Sequence, residues 1–364
     1  MTSTEQEAPG PDGPERRPRL TPAIADVRRA VREAFERMRG AGSSSEPQTG
    51  VVGATSERTA DVLVALSGGP DSLALAAATA FEAPRAGLVA GAVIVDHGLQ
   101  SGSAEVAERA AHQAAELGLT PVLVRRVEVA TGAGSETGGL EAAARSARYD
   151  AIDAALAETG AVTVLLGHTL DDQAETVLLG LARGAGAASL SGMAERSGTR
   201  IRPLLALRRV TTRAFCADSG LEPWLDPHND EVRFTRVRVR REVLPVLERE
   251  LGPGVAEALA RTATQLREDE EALHDMAIET IEDLVEHVEA GIGVSVGALE
   301  ANPPALRHRV IRYVVESEFG VSLSRAQTLA ATSLVTDWHG QKGVDLPGIR
   351  VVRRGRLLVF ERVA

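Results

Sequence analysis

Apolar residues in the first part of the chain follow two alternating rhythms. Short unbroken runs stand at Val62–Leu66, Leu88–Val95, Pro121–Val127 and Val162–Gly167. Runs of that length predict strands buried on both faces, as in a parallel sheet. Between them, Leu73–Thr79, Ser103–Leu117, Leu140–Glu158 and Asp171–Ala182 read as helices. The alternation predicts an α/β fold, a Rossmann-like parallel sheet with helices on both faces. A docking helix is predicted over 22–38, where Ile24, Val27, Val31, Phe35 and Met38 recur at helical spacing. Residues 1–20 have little to bury and read as a disordered tail, and residues 40–58 as a linker. After residue 245 the rhythm changes. A long acidic stretch over 255–290 and the segment 303–335 read as helices, and Ile349–Phe360 alternates and turns at Arg354-Gly355 like a hairpin. The expected organisation is an N-terminal extension (1–60), a catalytic α/β domain (61–245) and a smaller, mostly helical α+β domain (246–364).

Composition narrows the chemistry. The chain has 364 residues, 44% of them hydrophobic but only 3% aromatic, so its core must be aliphatic. A net charge of −11 argues against a generally basic nucleic-acid binder but leaves room for local patches. The single cysteine, Cys216, excludes an internal disulfide and a cysteine-based zinc or iron–sulfur cluster from this chain alone. No run approaches the roughly 18 apolar residues of a membrane helix, and the acidic, Pro-rich start is unlike a signal peptide. A soluble, cytoplasmic protein is expected.

The chemistry centres on Ser67-Gly68-Gly69-Pro70-Asp71-Ser72, between the first strand and its helix. Glycines admit a ligand close to the backbone, and the free N–H groups of a helix start attract an anion, most often phosphate. The loop is not a Walker loop, because the only lysine of the chain is Lys342, and it lacks the dinucleotide fingerprint. Ligands of parallel sheets lie beyond the carboxyl ends of the strands. The same rim carries Asp96-His97-Gly98-Leu99-Gln100 after strand two and Gly167-His168-Thr169-Leu170-Asp171-Asp172-Gln173-Ala174-Glu175-Thr176 after strand four. Asp71 could hold Mg²⁺ on ATP phosphates, with Ser67 and Ser72 donating hydroxyls. Asp172 and Glu175 share a helix face and could receive a metal or an ammonium. His168 could touch phosphate or move a proton. Arg145 and Arg148, one turn apart in the stretch Glu141–Tyr149, suit developing phosphoryl charge. Arg233, Arg236, Arg238, Arg240 and Arg241 form a basic cluster suited to a nucleic-acid backbone.

In their order and spacing over residues 61–245, S-G-G-x-D-S, D-H-G-L-Q, E-x-x-A-R-x-x-R-Y, G-H-x-x-D-D-Q-A-E-T, R-P-L-L (Arg202–Leu205) and D-P-x-N-D (Asp226–Asp230) resemble the tRNA(Ile)-lysidine synthetases, a family of N-type ATP pyrophosphatases. Two details depart from the family's usual pattern: Thr169 where G-H-H is frequent, and Val237 after Arg236 where R-N is frequent. The resemblance implies ATP at Ser67, Gly68, Gly69, Pro70, Asp71 and Ser72, with Val95, Asp96, Gly167 and His168 completing the nucleotide site. It implies Mg²⁺ on Asp71, free L-lysine held through its ammonium by Asp172 and Glu175, and a catalytic set of Asp71, Arg145, Arg148, Asp172 and Glu175. Arg202, Arg236, Arg238 and Arg240 would contact tRNA(Ile) with a CAU anticodon. The implied reaction adenylates the wobble cytidine at the oxygen on carbon 2 and then attaches lysine at that carbon, releasing pyrophosphate and AMP. By the same resemblance residues 246–364 recognise tRNA, with Arg307, Arg309, Arg312 and the hairpin arginines as a second basic surface. The alternatives are another enzyme of the superfamily, such as a tRNA thiolase or an amide-forming GMP or NAD synthetase, and a non-catalytic ATP- or RNA-binding module. Nothing in the sequence sets the oligomeric state, a homodimer being one option.

Overall fold

The run after the linker forms strand β1 (Val62–Ala65), whose first three residues are wholly buried because layers pack on both of its faces. A computed structural model describes residues 20–42, 58–98, 102–127, 137–184, 186–226, 231–288 and 291–363. The expected tail over 1–19, the linker residues 43–57 and the glycine-rich residues 131–136 therefore lie outside the described residues, as do Leu99, Gln100 and Pro227–Asp230 of two motifs.

In chain order, β1 is preceded by α1 (Pro22–Gly42) and followed by α2 (Pro70–Glu82), β2 (Ala90–Asp96), α3 (Ser103–Glu116), β3 (Val122–Arg126), α4 (Thr137–Thr159), β4 (Thr163–Leu165) and α5 (Leu170–Ala182). The one-turn α6 (Ala187–Leu190) precedes the two-residue strands β5 (Arg196–Ser197) and β6 (Arg200–Ile201), then α7 (Arg209–Asp218). The strands make one sheet in the order β3-β2-β1-β4-β6-β5, parallel except for the β5–β6 hairpin at its edge. Val62 stands opposite both Ala90 of β2 and Thr163 of β4. The chain lays β2 and β3 on one side of β1 and then crosses to lay β4 on the other. The crevice between the carboxyl ends of β1 and β4 is thus the topological switch point, where such sheets bind ligands.

Alternate residues of β1 serve opposite layers. Val62 and Val64 pack with Leu73 and Leu75 of α2 and with α1, whereas Leu63 packs with Ile152, Ala155 and Leu156 of α4. The apolar stripe of α1 docks as its spacing predicts: Ile24, Val27, Val31 and Phe35 are buried, each such side chain contributing about 1.5–3 kcal/mol. α1 lies against α2 and α7.

The chain divides into two compact units, residues 1–185 with 192–261, and residues 186–191 with 262–364. The first also holds α8 (Thr235–Arg238), a π-helical turn over Val239–Val243, and α9 (Leu244–Leu251). Pro245 has no N–H for the carbonyl four residues back and its ring crowds that carbonyl, which accounts for the widened turn. Helix α10 (Val255–Leu284) starts in the first unit and runs on in the second.

The second unit contains β7 (Val285–Val288), β8 (Gly291–Ser295), α11 (Val296–Ala301), α12 (Pro304–Phe319), α13 (Arg325–Thr336), β9 (Val344–Leu346), β10 (Ile349–Arg354) and β11 (Leu357–Arg362). Its strands form an antiparallel sheet in the order β7-β8-β11-β10-β9. The expected hairpin is present: Arg354 pairs with Leu357, and Gly355 takes the positive φ of 58° that the tight turn needs. The acidic helix expected to reach residue 290 ends at Leu284, and Val285–Val288 is strand instead, pairing with β8. β-Branched valines at both ends of that tetrapeptide favour an extended chain once a partner strand is available.

Candidate functional site

At the end of β1 the chain enters a cradle set by its own hydroxyls. Gly68 adopts φ 80°, a conformation for which a side chain would be strained. Gly69 is the extended N-cap of α2, it offers no side chain to the helix start, and Pro70 follows. Ser72 donates to the Gly69 carbonyl at 3.0 Å, its Oγ accepts the Ser67 N–H at 3.2 Å, and the two serine hydroxyls lie 3.0 Å apart. The turn is held from inside, leaving the first N–H groups of α2 for a ligand. Trp224 braces it through the backbone, its main-chain N–H donating to the Gly68 carbonyl at 2.8 Å.

The end of β4 meets this cradle backbone to backbone. A Cβ on Gly167 would stand 3.0 Å from the Ser72 nitrogen and 3.1 Å from the Asp71 carbonyl. Gly167→Ala must therefore push the start of α2 aside. We expect a loss of about 1–3 kcal/mol of stability and a raised KM for ATP, read by denaturant unfolding and initial rates. If neither changes, the two segments are not in the contact described.

Next along the chain, His168 is neutral at pH 7. Burial, with help from Arg202, Arg236 and Arg145, outweighs Asp172 and lowers its pKa to about 4. Its Nδ1 is buried without a partner among the described residues. Thr169 caps α5, and Asp172 returns the favour: Oδ2 accepts the Thr169 N–H and hydroxyl, both at 2.9 Å. That capping box fixes the Asp172 carboxylate and leaves Oδ1 facing the site.

Three carboxylates and three guanidiniums close the crevice. Glu175 has no solvent exposure. Its Oε1 accepts from Arg240 Nε at 2.7 Å and Arg209 Nη1 at 3.2 Å, and its Oε2 from Arg236 Nε at 2.9 Å and Arg240 Nη2 at 3.1 Å. Asp172 Oδ1 accepts from Arg209 Nη2 at 2.7 Å. Arg209 Nε lies 3.3 Å from Asp71 Oδ2, while the Thr212 hydroxyl donates to Asp71 Oδ1. Asp171 does different work. It caps α7, accepting the Arg209 N–H at 2.7 Å, and it holds Arg208, which also reaches Glu257. The arginine-bearing stretch is packed on α5 through Val239 and Leu244 against Ala174.

The charges shift accordingly. For Asp172, burial would raise the pKa, but Arg209, Arg236 and the Thr169 N–H outweigh it and hold the carboxyl below its usual range. For Asp71, burial prevails over Thr212 and Arg209, with Asp172 adding to it, and the pKa is raised. A cation beside Asp71 would relieve that cost. Among the described residues no group of three or more His, Cys, Asp or Glu could hold a metal. Asp71 alone, next to a phosphate cradle, fits Mg²⁺, which takes one or two carboxylates and draws its other ligands from phosphates and water.

The remaining expected residues are placed as follows. Asp96 ends β2, buried, its Oδ1 accepting the Gly98 N–H at 2.9 Å, and Val95 beside it is half-buried. Arg148 Nε donates to His97 Nε2 at 3.1 Å. Burial, with Arg148 against Asp96, lowers the His97 pKa to about 4, so it accepts as the neutral ring. Arg145 donates to the Tyr149 hydroxyl at 3.1 Å, and Arg200 stacks on that ring at 4.6 Å. Arg236 and Arg240 are committed to Glu175. Arg238 turns back on the Val232 and Arg233 carbonyls, and Arg202 is buried with Nη1 on the Ala194 carbonyl at 2.8 Å. Sequence reasoning missed Arg209, Thr212 and Trp224. The one signal was Arg208-Arg209 close after R-P-L-L in an acidic chain.

Residues 46–247 match the family described as the PP-loop domain, and residues 295–358 match the TilS substrate binding domain. A tRNA(Ile)-lysidine synthase of Leifsonia xyli subsp. xyli is 64% identical over 300 residues, covering 82% of this chain and 89% of that one. That of Thermobifida fusca is 48% identical over 347 residues, covering 93% and 98%. Among solved structures, the U34-tRNA thiolase NcsA from Methanococcus maripaludis aligns at 17% identity with a TM-score of 0.49, over 68% of this chain and 80% of that one, too slight a likeness to argue from.

Proposed function

The chain belongs to the tRNA(Ile)-lysidine synthase family, and from that premise we propose that it ligates free lysine to carbon 2 of the wobble cytidine of tRNA(Ile) with a CAU anticodon. The observation that carries the reading is the meeting, at the β1–β4 switch point, of a pyrophosphate-type cradle with a buried, oriented carboxylate pair. ATP binds with its phosphates on the N–H groups of Ser67–Ser72 and its adenosine along Val95, Asp96 and Gly167. Mg²⁺ on Asp71, when bound, neutralises phosphate charge. Arg145 and Arg148 stabilise the charge developing on the transferred adenylyl group. Neutral His168 can accept or donate a hydrogen bond there without adding charge. The oxygen on carbon 2 of cytosine attacks the α-phosphorus and pyrophosphate departs. Asp172 and Glu175 hold the lysine ε-ammonium. Once it has lost a proton to a nearby carboxylate, the amine adds to carbon 2 and AMP leaves. Arg238, half-buried, supplies positive charge for the tRNA backbone and the second unit recognises the tRNA, whereas Arg202, Arg236 and Arg240 are spent inside the protein.

The thiolase alternative fares poorly on the one available sulfur. Cys216 is buried, bonded to the Pro70 carbonyl, and its pKa is pushed up to about 12 by burial and by Asp71, so it is a protonated thiol. No described helix is long and apolar enough to cross a membrane. The direct test supplies ATP, Mg²⁺, radiolabelled lysine and tRNA(Ile) with a CAU anticodon. Label should enter the tRNA only with ATP present. A folded protein that leaves the tRNA unlabelled refutes the proposal.

A further inference from the structure

Among the described residues, Arg209 is the one side chain that touches all three carboxylates of the crevice: Asp71, Asp172 and Glu175. Its place in the site conflicts with the binding of another cation. Glu175 already accepts four N–H donors, the full capacity of a carboxylate. Asp172 Oδ2 is spent on Thr169, so Oδ1 is the oxygen left for an ammonium, and Arg209 Nη2 holds it at 2.7 Å. Three acids face three guanidiniums, a closed account of charge. Desolvating a fourth cation in such a site is not offset by any unpaired anion.

The three guanidiniums are not equally committed. Arg240 grips Glu175 with two nitrogens, and Arg236 is tied to Glu175, to the Asp172 carbonyl and to the Thr176 hydroxyl. Arg209 is pinned at its backbone N–H by Asp171, but its side chain spreads single contacts over three partners. One of these, Asp71, belongs to the phosphate cradle itself. ATP phosphates arriving there would offer Arg209 a new anionic partner on the Asp71 side and leave Asp172 short of a cation.

We propose that Arg209 is a positioning residue that orders the two small substrates: without ligands its guanidinium stands in for the lysine ammonium at Asp172, and nucleotide phosphates in the Ser67–Ser72 cradle draw it away, opening the site to lysine. The inference rests on the assignment of Asp172 and Glu175 to lysine. Its content is a coupling: ATP strengthens lysine binding, and lysine strengthens ATP binding by the same factor.

Calorimetric titration of the full-length protein with L-lysine, with and without saturating α,β-methylene-ATP and Mg²⁺, measures that factor. In the wild type the analogue should tighten lysine binding by roughly fivefold or more. In Arg209→Gln, which leaves the acids one positive charge short, lysine should bind without nucleotide about as tightly as it binds the nucleotide-loaded wild type, and the factor should fall to about one. A merely structural arginine would weaken both arms together and leave the ratio unchanged. Equal lysine affinity in the two wild-type arms overturns the inference, and that measurement needs no variant. A folded Arg209→Gln protein with the wild-type factor also overturns it. No lysine binding in either wild-type arm strikes the lysine site itself, and the inference with it.

Discussion

Replacing Glu175 by alanine is expected to lower the folding stability of the protein by about 3–5 kcal/mol. Glu175 is fully buried and takes N–H donors from Arg209, Arg236 and Arg240. Alanine would leave three guanidiniums facing each other with two carboxylates between them, and Arg209 is only 12% exposed. The cost is the uncompensated charge more than the lost contacts, because a buried ion pair is worth little net but is expensive to break from one side. Glu175→Gln separates the terms. It keeps the volume and one acceptor oxygen, so any stability it loses reports charge and donor conflict. Urea unfolding of both variants should show Glu175→Gln close to Glu175→Ala, with unchanged m-values. A loss under about 1 kcal/mol in Glu175→Ala would mean that these arginines are solvated in solution, and the closed crevice would have to be abandoned.

The sheet was legible because its central strands β1, β2 and β4 are buried on both faces, although β3 at the edge is half-exposed. Val62–Ala65 and Ala90–Asp96 need no alternation to be recognised, only an unbroken apolar run bounded by turn residues. The cradle was legible for the same local reason, since loop and helix start are contiguous. β5 and β6 were not, being two residues each and stabilised by pairing at the sheet edge. Nor was the burial of Glu175. An acidic residue in the first turns of a helix reads as a solvated partner of the helix dipole. Here its counter-charges come from 34, 61 and 65 positions downstream, beyond any local rule. The same gap made Arg236 and Arg240 read as an outward basic face, when the helix that carries them is packed on α5.

In the second unit the hairpin was plain from its alternation, but two of the arginines read as basic surface have internal work. Arg307 ties the Leu299 and Asn302 carbonyls at the end of α11, at 2.7 and 2.9 Å. Arg309 pairs with Glu270 of the acidic helix. Arg312, set among Arg309, Arg325 and Glu270, is the one of the three with no hydrogen bond or ion pair among the described residues, and burial lowers its pKa. Local charge counts therefore overstate a basic face wherever long guanidinium arms can reach backbone carbonyls.

Asp172→Asn should uncouple the two halves of the reaction. Asparagine retains an oxygen for the Thr169 N–H and hydroxyl, so the start of α5 stays capped, while the charge facing Arg209 is lost. If Asp172 serves the lysine ammonium, nucleotide binding and tRNA-dependent pyrophosphate release should stay within a few-fold of wild type. Removing one partner of a buried charge pair costs about 2–5 kcal/mol, so lysine incorporation should fall by roughly thirty- to several-thousand-fold, mostly through the KM for lysine. Single-turnover assays that follow labelled pyrophosphate and labelled lysine on the same tRNA give both numbers. Equal losses in both halves would place Asp172 with ATP and its metal instead. Lysine transfer at the wild-type rate would take Asp172 out of the lysine site and leave Glu175 as the only acid of the pair, able to accept an ammonium only where Arg209 lets go of its Oε1.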